Sequence, residues 1–179
     1  LLSQPNTWVS VYGGNKYDRG TSIAQTHDKG YIVCGNTSSY GMGNTDAYVL
    51  KIDSAGKYEW QNTLGGPNID HVYSVQATSD SGFIISGYTN GFGAGGYDAY
   101  LVKINSAGLF QWQKTFGEND WDFAYWAEQT SNGGYVVCGE SYRSGKNSQA
   151  YMVRTDANGD TLWTRTFGLT GEDAFKEIH

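Results

Sequence analysis

Carboxylates that recur at a fixed interval are the first candidates for chemistry in this chain. Asp18, Asp70, Asp122 and Asp173 stand 52, 52 and 51 residues apart, and Asp46 and Asp98 form a second series at the same interval. A general acid and base pair needs two carboxyl groups whose surroundings push their pKa values apart, and repeated side chains in repeated surroundings do not supply that difference. Capping of turn amides is the reading these aspartates favour, with a cation shared at a channel mouth as the functional alternative. His27, His71 and His179 fall at different places in the interval, no His-x-x-x-His or paired-Cys spacing occurs, and no metal ligand is assigned. The segment "DANGDT", Asp156 to Thr161, starts with alternating oxygen donors as a calcium loop does. Its counterparts "DSAGKY" and "NSAGLF" carry too few such donors, and the closing glutamate is missing. The sequence therefore points to no catalytic residue, no cofactor and no enzyme.

The interval itself is the stronger signal. Trp8, Trp60, Trp112 and Trp163 keep the same spacings as the aspartates, and so do Gly13, Gly65, Gly117 and Gly168. The third copy lacks one residue in the polar stretch "ESYRSGKNSQ", which is expected to be a loop. Each copy contains four runs of strand type. The first is "TSIAQT", "YSVQAT" or "YWAEQT", and the second is "YIVCG", "FIISG" or "YVVCG", apolar enough to be buried on both faces. The third begins "AYVLKI" and the fourth contains the tryptophan, as in "YEWQNTL". "HDKG", "SDSG" and "SNGG" join the first two runs, and "DSAG", "NSAG" and "DANG" join the last two, with glycine expected to supply the positive φ of each turn.

Four antiparallel strands in about 50 residues is the size of a β-propeller blade. The predicted fold is all-β: three complete blades, 18–69, 70–121 and 122–172, with partial units at 1–17 and 173–179. A β-trefoil is the competing fold, although its units are shorter and a partial fourth copy speaks against threefold closure. One blade cannot bury two apolar faces, but a series packed side by side can. Trp8, Trp60, Trp112 and Trp163 are then structural anchors between blades. Cys34 and Cys138, two blades apart, are expected to be buried thiols too distant for a disulfide. Three blades with a dangling strand at each end would leave open faces bearing residues such as Ile23 and Val153. Association with further copies, or with the rest of a longer parent chain, is the expected consequence.

The set Asp46, Tyr48, Lys51, Asp53, Gly56 and Trp60, followed by "LGG" and preceded by "DKGYIVCG", resembles the propeller-type repeats of secreted and surface proteins of bacteria and archaea. The resemblance covers nearly the whole chain, and it implies a propeller fold and an extracellular or cell-surface location without implying a reaction. The spacing of Asp, Gly and Trp is also similar to that of the tryptophan-docking repeats of quinoprotein dehydrogenases, though no residues here match a quinone or calcium site.

A formal charge of −6 with 12 Lys and Arg and no basic run excludes the electrostatic footprint of a nucleic-acid binder. No stretch is apolar enough for a membrane span. The hairpin turns are nearly uniform among copies, whereas "GGNKYD", "GGPNID", "GENDWD" and the loops between the second and third runs vary. Variable loops on a rigid scaffold are where recognition resides, so the binding face is the variable one. On it "ENDWDFAYW" groups Trp121, Tyr125 and Trp126, rings able to stack on sugars. Alternatively Trp121 is a core anchor at the position of Tyr17 and Ile69, and Trp126 offsets the small Ala127. The functional expectation is a non-catalytic structural or adhesive scaffold that binds protein partners. A carbohydrate-binding propeller and a fragment of a quinoprotein-type enzyme are the alternatives.

Overall fold

A computed structural model describes residues 9–143, 147–168 and 173–176, so that Trp8 and His179 lie outside the described residues. Among these residues there are twelve strands and no helix. The first sheet consists of β1 (Asp18–Gln25), β2 (Tyr31–Thr37), β3 (Asp46–Ile52) and β4 (Tyr58–Leu64), hydrogen-bonded in that order. The second holds β5 (Asp70–Ala77), β6 (Phe83–Thr89), β7 (Asp98–Ile104) and β8 (Phe110–Phe116). The third holds β9 (Asp122–Gln129), β10 (Tyr135–Ser141), β11 (Gln149–Thr155) and β12 (Thr161–Phe167). Every pairing is antiparallel, and each sheet is one copy of the sequence repeat. These are propeller-type blades in an arc that the described residues do not close.

One detail of the turns departs from the expectation. In the first-to-second hairpins of blades one and two the left-handed residue is Lys29 (φ 70) and Ser81 (φ 63), one position before the glycine, whereas in the third it is Gly133 (φ 85). Asp28 and Asp80 explain the shift, because their Oδ1 atoms accept the N–H of Gly30 and of Gly82 at 3.0 Å and hold the turn in an Asx geometry.

Burial follows the strand period of two. In β7, Tyr100, Val102 and Ile104 face the first blade and join Ile32, Cys34, Val49, Phe83 and Ile85, while Ala99 and Leu101 face the third and join Tyr135, Val137, Tyr151 and Val153. Every residue of β7 is buried, as a strand with apolar side chains on both faces must be. Cys34 and Cys138 are buried free thiols, and burial pushes the Cys34 thiol up to about 12.

The first strands β1, β5 and β9 pack in succession against one another. Farther out, each blade grips the next through its tryptophan. Trp60 packs against Phe83 with ring centroids 6.2 Å apart, and Trp112 against Tyr135 at 5.6 Å. Each ring also covers the third-to-fourth turn of the following blade at a glycine, Gly108 (φ 78) or Gly159 (φ 80). A Cβ at Gly108 would stand 2.7 Å from the Trp60 ring, so glycine answers both the backbone angle and the ring above it.

Trp163 differs from the anchor role expected of it. It is 40% exposed, because no following blade lies over β12 among the described residues. At the other end Ile23 is 61% exposed although its counterparts Val75 and Ala127 are fully buried against a preceding blade. Val153, expected on an open face, is fully buried against the second blade. The start of a fourth unit is visible: Gly168 approaches Asp173 as Gly117 approaches Asp122, and the Asp173 N–H donates to the Ser148 carbonyl at 3.0 Å. Burial therefore predicts unequal mutants. Trp112→Ala should lose about 3 kcal/mol of stability and Trp163→Ala less than about 1 kcal/mol, measured by denaturant unfolding. Equal losses would show that contact with the next blade does not clamp Trp112.

Candidate functional site

A bulge repeated in every blade places the side chains of interest. Thr21, Tyr73 and Tyr125 are extra residues in the pairing of the first strand with the second, opposite Gly35, Gly87 and Gly139. The bulged backbone presses onto those glycines so closely that a Cβ at Gly87 would lie 1.8 Å from the His71 carbonyl oxygen. In blades two and three the bulge carries a tyrosine, and a continuous strip of rings results.

The strip runs along the inner ends of the blades. His71 stacks on Tyr88 at 5.1 Å, and Tyr88 meets Tyr97 edge-on at 5.1 Å and Phe123 at 5.0 Å. Tyr73 meets Tyr125 across the blade boundary at 5.0 Å, Tyr97 leads to Trp121 at 5.7 Å, and Trp121 to Tyr142 at 6.0 Å. Edge-to-face arrangements dominate, as the ring quadrupole favours. Polar groups border the rings. Lys176 Nζ lies 3.7 Å from the centre of the Tyr125 ring, and the Tyr125 hydroxyl donates to Glu140. Burial, and then that bond to a carboxylate, push the Tyr125 phenol well above its ordinary range. Tyr73 and Tyr88 are raised as well, chiefly by burial. All these phenols stay protonated near neutral pH.

Of the residues singled out from the sequence, Trp121 and Tyr125 belong to this strip, linked through Tyr97 and Phe123. Trp121 is 51% exposed and presents a ring to solvent at the edge of the variable loops. Trp126 occupies the position of Ser22 and Ser74, whose hydroxyls accept the N–H groups of Val75 and Ala127 in the following blade at 3.4 Å. It therefore stands on the flank that meets the next blade. His71, Tyr73, Tyr88, Tyr97, Phe123 and Tyr142 were not singled out. A signal for them exists, since they sit where the copies disagree: Arg19, His71 and Phe123 are equivalent, as are Thr21, Tyr73 and Tyr125, and Asn36, Tyr88 and Glu140.

The backbone beneath these residues does not vary. The carbonyls of Tyr17, Ile69 and Trp121 accept the N–H groups of Ser38, Asn90 and Tyr142 at 2.8, 3.1 and 2.7 Å. The recurring aspartates do the same work in each copy: Asp18, Asp70 and Asp122 accept the N–H groups of Gly14, Gly66 and Glu118 at 2.8, 2.8 and 3.1 Å. Asp46 accepts the N–H of Gly43 at 3.0 Å. Burial raises the Asp46 and Asp122 carboxyls. Among the described residues no group of three or more His, Cys, Asp and Glu side chains is arranged to hold a metal ion.

No family model and no curated protein matches this sequence. The chain is similar to the crystal structure of a protein of unknown function from Bacteroides caccae, at 11% identity and a TM-score of 0.36 over 94% of this chain and 75% of that one. A likeness that loose transfers no residue role.

His71 supplies a pH test of the strip. Burial, and then the Arg19 guanidinium, hold its pKa below the ordinary 6.5, while Asp70 pulls the other way. A folded-state pKa below the unfolded one gives stability that is full above about pH 6.5 and is lost as pH falls through the folded value. His71→Phe, which copies the third blade, should therefore lose less thermal stability than the parent between about pH 7 and about pH 5. Parallel melting curves for the two proteins would show that His71 is not held neutral.

Proposed function

We propose that this chain is a non-catalytic binding scaffold of propeller type, and that its ligand surface is the aromatic strip centred on Tyr88. One observation carries the reading: at positions where the backbone hydrogen bonds repeat, the side chains of the strip change from blade to blade, whereas core and turn residues recur. Packing explains residues that recur. It does not ask for eight neighbouring aromatic or imidazole rings on one border of the fold, half-buried and edged by Arg19, Glu140 and Lys176. Rings with a polar rim suit carbohydrate, because the C–H faces of a pyranose lie on the negative ring face while its hydroxyls reach the rim. Carbohydrate is accordingly the ligand class favoured over a flat protein contact. The secreted or cell-surface setting rests on the resemblance to surface-protein repeats.

The open flanks support a second element of this proposal. Ile23 on one side and Trp163 on the other occupy positions that are covered at the internal boundaries. Further blades, from other copies or from a longer parent, fit there by the same contact of tryptophan on a glycine turn, giving a ring if the rotation closes and a filament if it does not.

Trp121→Ala should weaken binding of oligosaccharides on a glycan array at least about fivefold while leaving the melting temperature nearly unchanged, since the ring is half exposed. Binding indifferent to Trp121 would remove the strip from the site. Light scattering on the isolated 179-residue chain tests the flanks, and a monodisperse monomer at micromolar concentration would refute association.

A further inference from the structure

The two internal blade boundaries are built on one plan but filled differently. Between the second and third blades Tyr73, Tyr88 and Tyr97 meet Phe123 and Tyr125, and rings occupy the space. Between the first and second blades the equivalent positions hold Thr21, Asn36 and Thr45, which are too short to do so. A cleft of about 410 Å³ opens there, lined by Tyr17, Arg19, Asn36, His71, Tyr73 and Tyr88. Its volume lies in the range of small-ligand sites.

The chemistry of the lining is specific. Thr21 Oγ1 and the Asn36 amide are already engaged with the backbone of Val72, so they form a fixed wall. Tyr73 and Tyr88 supply ring faces and protonated hydroxyls. Arg19 is exposed, lines the cleft, and forms no ion pair among the described residues. In a chain with a net charge of −6, an uncompensated guanidinium beside stacked rings marks where an anionic group would sit.

We infer that the cleft between the first two blades takes a carboxylate-bearing sugar, a hexuronate unit of an acidic saccharide, with Arg19 pairing the carboxylate and Tyr73 and Tyr88 contacting the ring. This rests on the carbohydrate reading of the strip and adds the charge of the ligand. A planar guanidinium matches a carboxylate with two parallel hydrogen bonds. A phosphate monoester fits less well, because its second negative charge meets no second full cation: His71 next to Arg19 is held neutral. Lys176 is set against Tyr125, on the third blade.

Calorimetry with a short oligogalacturonate, and with the same oligomer after reduction of its carboxylates to alcohols, tests the assignment. The acidic oligomer should bind at least about tenfold tighter than the neutral one. Arg19→Gln, an exposed substitution, should abolish that preference. Thr21→Tyr, which installs the residue that the second and third blades carry, should fill the cleft and remove binding of the acidic oligomer. Equal affinity for the two oligomers, unchanged in Arg19→Gln, would overturn the carboxylate assignment while leaving carbohydrate binding by the strip intact. A sugar phosphate that competes as well as the uronate would also overturn it. Failure of both oligomers to bind would sink the carbohydrate reading together with it.

Discussion

A four-stranded sheet that is apolar on both faces has no stable existence alone, and the architecture of this chain depends on how each sheet is covered by the next. Strand period two sends Tyr100, Val102 and Ile104 to one neighbour and Ala99 and Leu101 to the other, so the middle blade contributes to two cores at once. The tryptophan on the glycine turn fixes the outer part of the same interface. Trp60 and Trp112 have a following turn to cover, and the exposure of Trp163 shows what the contact contributes when that turn is absent among the described residues.

Because the cores and turns repeat, the positions that escape the constraint become visible. A buried cation on the third strand illustrates a change made in pairs: Lys51 faces Asp28 at 3.0 Å and Lys103 faces Asp80 at 2.8 Å, while the third blade has Arg154 and Asn132 bonded to each other at the same place. Hydrogen bonds from Thr26 and then Lys51 hold the Asp28 carboxyl down at about 2, and against the opposing effect of burial those from Lys103 and Thr78 hold Asp80 at about 2. Such substitutions preserve the fold. The exchanges along the inner strip, Arg19 for His71 or Asn36 for Tyr88 for Glu140, preserve no interaction, and they change the charge and shape of that border from blade to blade.

The bulge connects the two kinds of position. Its glycine partner is part of the invariant frame, since no Cβ fits against the opposing carbonyl. The residue it displaces is free to differ, and in blades two and three it is a tyrosine that reaches across the blade boundary. One backbone irregularity thus serves both packing and display.

The amino-acid sequence by itself determined the all-β class, the repeat of about 52 residues, the order of the four strands in each blade and the burial of the second strands, because turn glycines and strand periodicity are local properties. Of the rings it singled out, Trp121 precedes β9, whereas Tyr125 and Trp126 lie within that strand. Tertiary structure alone decided that Trp163 stands open while Trp112 is clamped, since burial depends on whether another blade is present. It likewise decided that His71 and Phe123, 52 residues apart, both join one strip through Tyr88. The cleft beside Arg19 arises where the short side chains of Thr21 and Asn36 in one blade face His71, Tyr73 and Tyr88 in the next, a relation that exists only once neighbouring blades are stacked.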